Sequence, residues 1–302
     1  MKKSHPLPDG KSLQNKRLAT GLFYPKLAVT FCLLAFLINC VSSSLSRAKA
    51  DYLEAEALQR SLRLEEATAV YKKTREEVSA TISRKPTAEG YLLKGLTEVN
   101  LNLWAEAEDS FRMAASLGEE KARDWAEELR LYGLARSFEA QGWSETAGRL
   151  YEVLINKGKY EQVVRASTGQ LVDLKLKTFV DQAEASAAAQ KEKSKILVET
   201  LKIVERAVER EPACGYYHYL LAQVFAHQKD YSQSLEEAVM AKELGLPSEK
   251  ISRDNDLQIV FSYEQLAKNL LPDELVSFRV RYNTWVKKWK WPNETTPDWK
   301  RS

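Results

Sequence analysis

Three alanines, Ala67, Ala107 and Ala147, stand 40 residues apart, and each is followed four positions later by a ring: Tyr71, Phe111 and Tyr151. No other feature constrains the fold as tightly. A small residue and an aromatic one turn apart mark a helix face, and a fixed period marks a unit written several times over. A lone pair of short helices cannot bury its own apolar face. Such units therefore stack side by side into an array.

Around these anchors the chain reads as helix pairs at 48–84, 86–118 and 122–158. Pro86 and Thr87 open a helix, Gly95 permits close packing, and Trp104 and Gln141-Gly142-Trp143 mark turns. Residues 159–180 break the period and read as helical, although LVDLKL alternates like a strand. A long helix follows from Asp181 and is stopped by Pro212. Gly215–Leu246 is the clearest hairpin. Its first helix carries Leu221, Ala222 and Phe225, its turn is Gln228–Tyr231, and its second helix carries Leu235, Ala238 and Ala241. Helices over 256–270 and 272–290 and an irregular tail complete the chain.

Charge separates the amino terminus from the rest. The net charge is +3, but residues 1–39 carry +5 and the remainder −2, so the body has no basic excess suited to nucleic acid. After the basic stretch comes an uncharged run, Leu27–Val41, of 15 residues. That is short of the roughly 20 needed to span a bilayer, and it fits the apolar core of a secretory signal. The run ends Leu37-Ile38-Asn39-Cys40, followed by Val41-Ser42-Ser43-Ser44. Here the chain resembles a bacterial lipoprotein signal, with Asn39 where that pattern usually has Gly, Ala or Ser. The resemblance implies cleavage before Cys40, acylation of Cys40 with palmitate-type chains, and a tether over 40–47. It also implies a body held on the non-cytoplasmic side of a membrane, the outer membrane foremost. An uncleaved single-pass signal anchor over 27–41 stays open.

The repeats resemble the tetratricopeptide (TPR) family. Its pattern is matched by Leu134-Ala135, Phe138, Gly142, Ala147 and Tyr151, by Gly95, Trp104, Ala107, Phe111 and Ala114, and by Leu221-Ala222, Phe225, Tyr231 and Ala241. Pro212 and Pro247 stand at the closing positions. The resemblance implies an all-α, right-handed α-solenoid over 48–250, with capping helices over 251–290 and a tail over 291–302. It also implies a concave groove that holds other proteins. The residues expected to face that groove are Tyr132, Arg136 and Glu139 in one repeat and Tyr216, Tyr219, Gln223 and His227 in another.

Near the carboxy terminus Phe278, Tyr282, Trp285 and Trp289 share one helix face. They read as the inner face of a cap, with a cationic-aromatic surface patch as the other reading. Catalysis has little to stand on. Only His218 and His227 lie beyond the leader, and no HExxH, nucleophile elbow or phosphate-binding glycine loop occurs. Cys214 has no base near it in sequence and reads as a small buried residue. The expectation is a non-enzymatic scaffold without cofactor or metal, in the cell envelope. A surface-exposed adhesin is the alternative.

Overall fold

The computed structural model describes residues 44–182 and 187–291, and among them every regular element is a helix. In chain order these are α1 (44–60), α2 (Leu64–Arg84), α3 (Ala88–Asn100), α4 (Trp104–Ser116), α5 (Glu120–Ala140) and α6 (Ser144–Lys157). They continue with α7 (Glu161–Asp181), α8 (Ala187–Arg210), α9 (Gly215–His227), α10 (Tyr231–Leu244), α11 (Glu249–Ala267) and α12 (Pro272–Trp289). Helix α1 takes in residues 44–47, expected as part of a tether, because Leu45 and Ala48 are buried against Val78 and Ile82 of α2. No described helix is long and apolar enough to cross a membrane. Cys40 and the run 27–41 lie outside the described residues.

The 40-residue period sets both the packing and the turns. Ala67, Ala107 and Ala147 are at most 2% exposed, as are Tyr71, Phe111 and Tyr151. A methyl group lets the paired helices approach, and the ring fills the space one turn on. Phe111 lies against Gly95, where an added Cβ would come within 2.8 Å of it. Burying such a ring contributes about 1.5–3 kcal/mol. The hairpin turns repeat in register too. Leu62, Asn102 and Gly142, each 40 after the last, all have left-handed φ, as does Lys229 in the later hairpin. In each case the next amide reaches back five residues: Arg63 to Leu58, Leu103 to Glu98, Trp143 to Phe138 and Asp230 to Phe225. This hydrogen bond, with a left-handed residue, closes a helix in the Schellman manner.

Each of α2 to α11 packs on its neighbours in the chain. In addition α5 meets α7, α7 meets α9 and α9 meets α11, while no two even-numbered helices come as close. The odd helices are therefore the inner layer of a curved stack, and the even helices splay outside. The array is an all-α solenoid of hairpins. Helix α7, off the sequence period, is a full member of it. Helix α11 starts at Glu249, so it straddles the boundary expected at 250 and continues the stack.

Curvature brings the first turn to the end of the array. Leu62 rests on Gly245, in the loop between α10 and α11, and a Cβ there would overlap its side chain. Gly245 also has φ +90°, so glycine is required twice over. Glu65 lies beside Glu249, which raises its carboxyl pKa by hydrogen bonding and by charge. A cavity of about 950 Å³ lies between α2, the α3–α4 turn and this loop.

The far end is capped by rings. Tyr263 of α11 stacks on Phe278 of α12 (centroids 4.1 Å, 6° between planes) and lies 4.5 Å from Tyr282. Trp291, placed in the tail by sequence, is 7% exposed and packs 5.1 Å from Trp289, so it belongs to the cap. On α12 Tyr282 is fully buried in the cap, while Phe278, Trp285 and Trp289 are partly buried, with Arg281 over Phe278 and Lys288 over Trp289.

Candidate interaction groove

The residues expected in the groove sit on α5 and α9. On α5, Tyr132, Arg136 and Glu139 share a face by their spacing. Tyr132, however, is only 4% exposed, lodged between Trp104 (5.3 Å) and Tyr151 (6.1 Å). It belongs to the core rather than to an open surface, and burial raises its hydroxyl pKa. Arg136 is half exposed. It donates to the side chain of Gln170 on α7 and lies 4.0 Å from Glu139. Glu139 in turn accepts the Tyr151 hydroxyl at 2.7 Å.

On α9, Tyr216 and Tyr219 are stacked, with centroids 6.1 Å apart and 26° between planes. Tyr216 lies across α7. Its hydroxyl fills the space over Gly169, and its Cζ stands 3.0 Å from where a Cβ would be. Tyr219, 8% exposed, packs in the core around α9 rather than on an open surface, and accepts from Gln223 at 2.8 Å. Its hydroxyl pKa is pushed up to about 12, first by burial and then by the charges of Asp254 and Asp173. His227 is exposed at the helix end, edge-on to Phe179 at 5.4 Å.

Helix α7 joins the two stripes. Gly169 receives Tyr216, Gln170 receives Arg136, and Asp173 follows one turn later. Asp173 keeps an exposed surface on α7. Lost hydration holds its carboxyl above the usual range, and Glu139 adds to this while Arg136 and Lys250 of α11 act against it. The hydroxyl of Tyr216 is raised by burial, then by Asp173, Tyr219 and Tyr132. Four inner helices thus present one continuous surface. Sequence reasoning missed Gly169, Gln170 and Asp173. A usable signal was the (i, i+1, i+4) trio of small and polar residues in an otherwise apolar helix.

The other candidate chemistry is taken up by structure. His218 Nδ1 is 2.6 Å from Glu237, and Nε2 is 2.9 Å from the Pro212 carbonyl. Both partners accept, so a protonated ring can donate to each, and the hydrogen bond to Glu237 foremost raises its pKa. Cys214 is buried, and burial raises its thiol pKa, with Arg165 acting against this. Among the described residues no three His, Cys, Asp or Glu side chains gather as metal ligands would.

Comparison with known proteins gives structural likenesses only. The chain is similar to the TPR domain of P58(IPK), with 15% identity, 81% of this chain and 69% of that one covered, and a TM-score of 0.39. It is also similar to Acl4, the assembly chaperone of RpL4, with 15% identity, 80% and 98% covered, and a TM-score of 0.28. No family model and no curated protein matches the chain.

Proposed function

We propose that this protein is a membrane-anchored scaffold that holds a protein partner on the inner face of its solenoid, along α5, α7, α9 and α11. One observation carries the reading. Two stripes four helices apart in the chain are joined by α7 into one surface of rings and charged groups. Tyrosine gives area and a polar tip at low entropy cost, which suits protein recognition. Anchoring rests on the sequence alone, with Cys40 as the lipidated residue, the body in the cell envelope, and the outer membrane as the site.

Site-specific photocross-linking in the native host tests the groove. A photoreactive residue at Tyr216 or Asp173 should give discrete protein adducts that are absent when it replaces the exposed Arg149 of the outer helix α6. Equal adducts at all three positions would remove the groove from the proposal. Mass spectrometry of the mature amino terminus tests the anchor. An acylated Cys40 supports it, and an intact Met1 replaces it with the uncleaved span.

A further inference from the structure

We infer that a cavity on the outer side of the array, between α6 and α8, is a ligand site for a small neutral molecule: an apolar ring or branched chain bearing one hydroxyl or carbonyl group that hydrogen-bonds to Tyr217. The site is separate from the groove and adds a small-molecule ligand to a protein scaffold.

The cavity has a volume of about 380 Å³ and is walled by four consecutive helices, α6 to α9. Pockets of about 300–1,000 Å³ commonly hold small ligands. Helix α7 contributes Val164, Thr168 and Leu171. By helical spacing these lie opposite Gly169, Gln170 and Asp173, so one helix divides the cavity from the groove. Ile155 of α6 and Ile203 and Ala207 of α8 complete an apolar lining, which favours an apolar occupant. Tyr217 of α9 is also part of the wall, whereas its neighbour Tyr216 goes to the groove side over Gly169. Tyr217 is fully buried, and its hydroxyl has no hydrogen-bond partner among the described residues. A buried hydroxyl left so is costly, and an oxygen on a molecule in the cavity would satisfy it. The other hydroxyl of the wall, Thr168, already donates to the Val164 carbonyl at 2.9 Å. Charge around the cavity is balanced. Arg210 is held by Glu161 at 2.6 Å, and the exposed Arg206 of α8 is matched by the exposed Glu152 of α6. An ion of either sign would meet repulsion as well as attraction there, and a neutral molecule meets neither.

Equilibrium dialysis of the full chain against β-naphthol and naphthalene tests this, since the two probes differ by one hydroxyl on the same rings. Naphthol should bind about five-fold more tightly, the scale of one net hydrogen bond. Tyr217→Phe should remove that preference by weakening naphthol while leaving naphthalene unchanged. Without probe, its melting temperature should be no lower than that of the wild type, because the lost hydroxyl has no partner to leave behind. Ile203→Trp fills the cavity and should weaken both probes by about ten-fold or more, because ring and apolar wall no longer meet. Equal affinity for the two probes, a preference that survives Tyr217→Phe, or binding that survives Ile203→Trp would overturn the assignment. So would a Tyr217→Phe variant that melts below the wild type. Should Ile203→Trp fail to fold by circular dichroism, the two-probe comparison in Tyr217→Phe decides alone.

Discussion

Tyr151 donates its hydroxyl to Glu139 at 2.7 Å, and 80 residues earlier Tyr71 donates to Gln59 at 3.0 Å. In both, the acceptor ends the first helix of a pair and the ring sits in the second, 12 residues on. The intervening repeat has Phe111 and, 12 residues before it, the buried Val99. Where the ring loses its hydroxyl, the opposite position loses its acceptor. The match is expected, because a half-buried hydroxyl without a partner is costly while an apolar pair is not.

A double-mutant cycle should expose this coupling. Tyr151→Phe and Glu139→Val should each lose about 1–2 kcal/mol, and the pair together should recover at least about 0.5 kcal/mol of the sum. Urea denaturation midpoints measure it. Strict additivity would mean that the repeat tolerates either pairing independently.

Glu98 should be the most sensitive charged position. Its side chain is fully buried, with Arg75 and Lys94 each at 2.9 Å and the Ser110 hydroxyl at 2.6 Å. Removing one partner of such a network leaves charges uncompensated. Because Arg75 and Lys94 are partly exposed, Glu98→Ala should cost about 2–4 kcal/mol, toward the lower end for a buried pair, and Ser110→Ala about 1 kcal/mol. Thermal melts of the two variants should fall in that order.

His218 sets a pH dependence. Glu237 raises its pKa most, burial works against this, and the Pro212 carbonyl adds to it. A histidine raised in the folded state stabilises fully below its unfolded pKa, about 6.5, and that contribution fades as pH rises through the folded value. The melting temperature of the wild type should exceed that of Glu237→Gln by most below about pH 6.5, and the gap should close toward alkaline pH. A gap independent of pH would mean that the ring is not titrating there.

Two glycines should respond differently to alanine. Gly95→Ala drives a Cβ into the fully buried ring of Phe111 and should cost about 1–3 kcal/mol, read by urea denaturation. Gly169→Ala meets the outer end of Tyr216, which can swing into the groove. The gain in helix propensity, about 1 kcal/mol, offsets part of that strain. Stability should change little, while cross-linking at the neighbouring Asp173 should drop.

The periodic parts of the fold were legible in sequence because packing at Ala67, Ala107 and Ala147 admits few residue types. Helix α7 was less so. Its inner face carries Gly169, Gln170 and Asp173, residues common on any surface, and only the ring of Tyr216 gives them meaning. Tyr132 was misread for a related reason. Helices in a stack are covered on both flanks, so the open stripe is narrower than helical spacing suggests, and a ring one position off it is core. Glu98 illustrates the opposite limit, since a glutamate in a helix reads as solvated until its three partners are in place.

The seat of Leu62 on Gly245 has a mechanical meaning. A stack of hairpins deforms like a coil spring, and touching coils resist compression steeply while resisting extension only through weak attraction. Winding the stack further would press the Leu62 side chain onto backbone that has no side chain to move aside, while opening it would only part this contact.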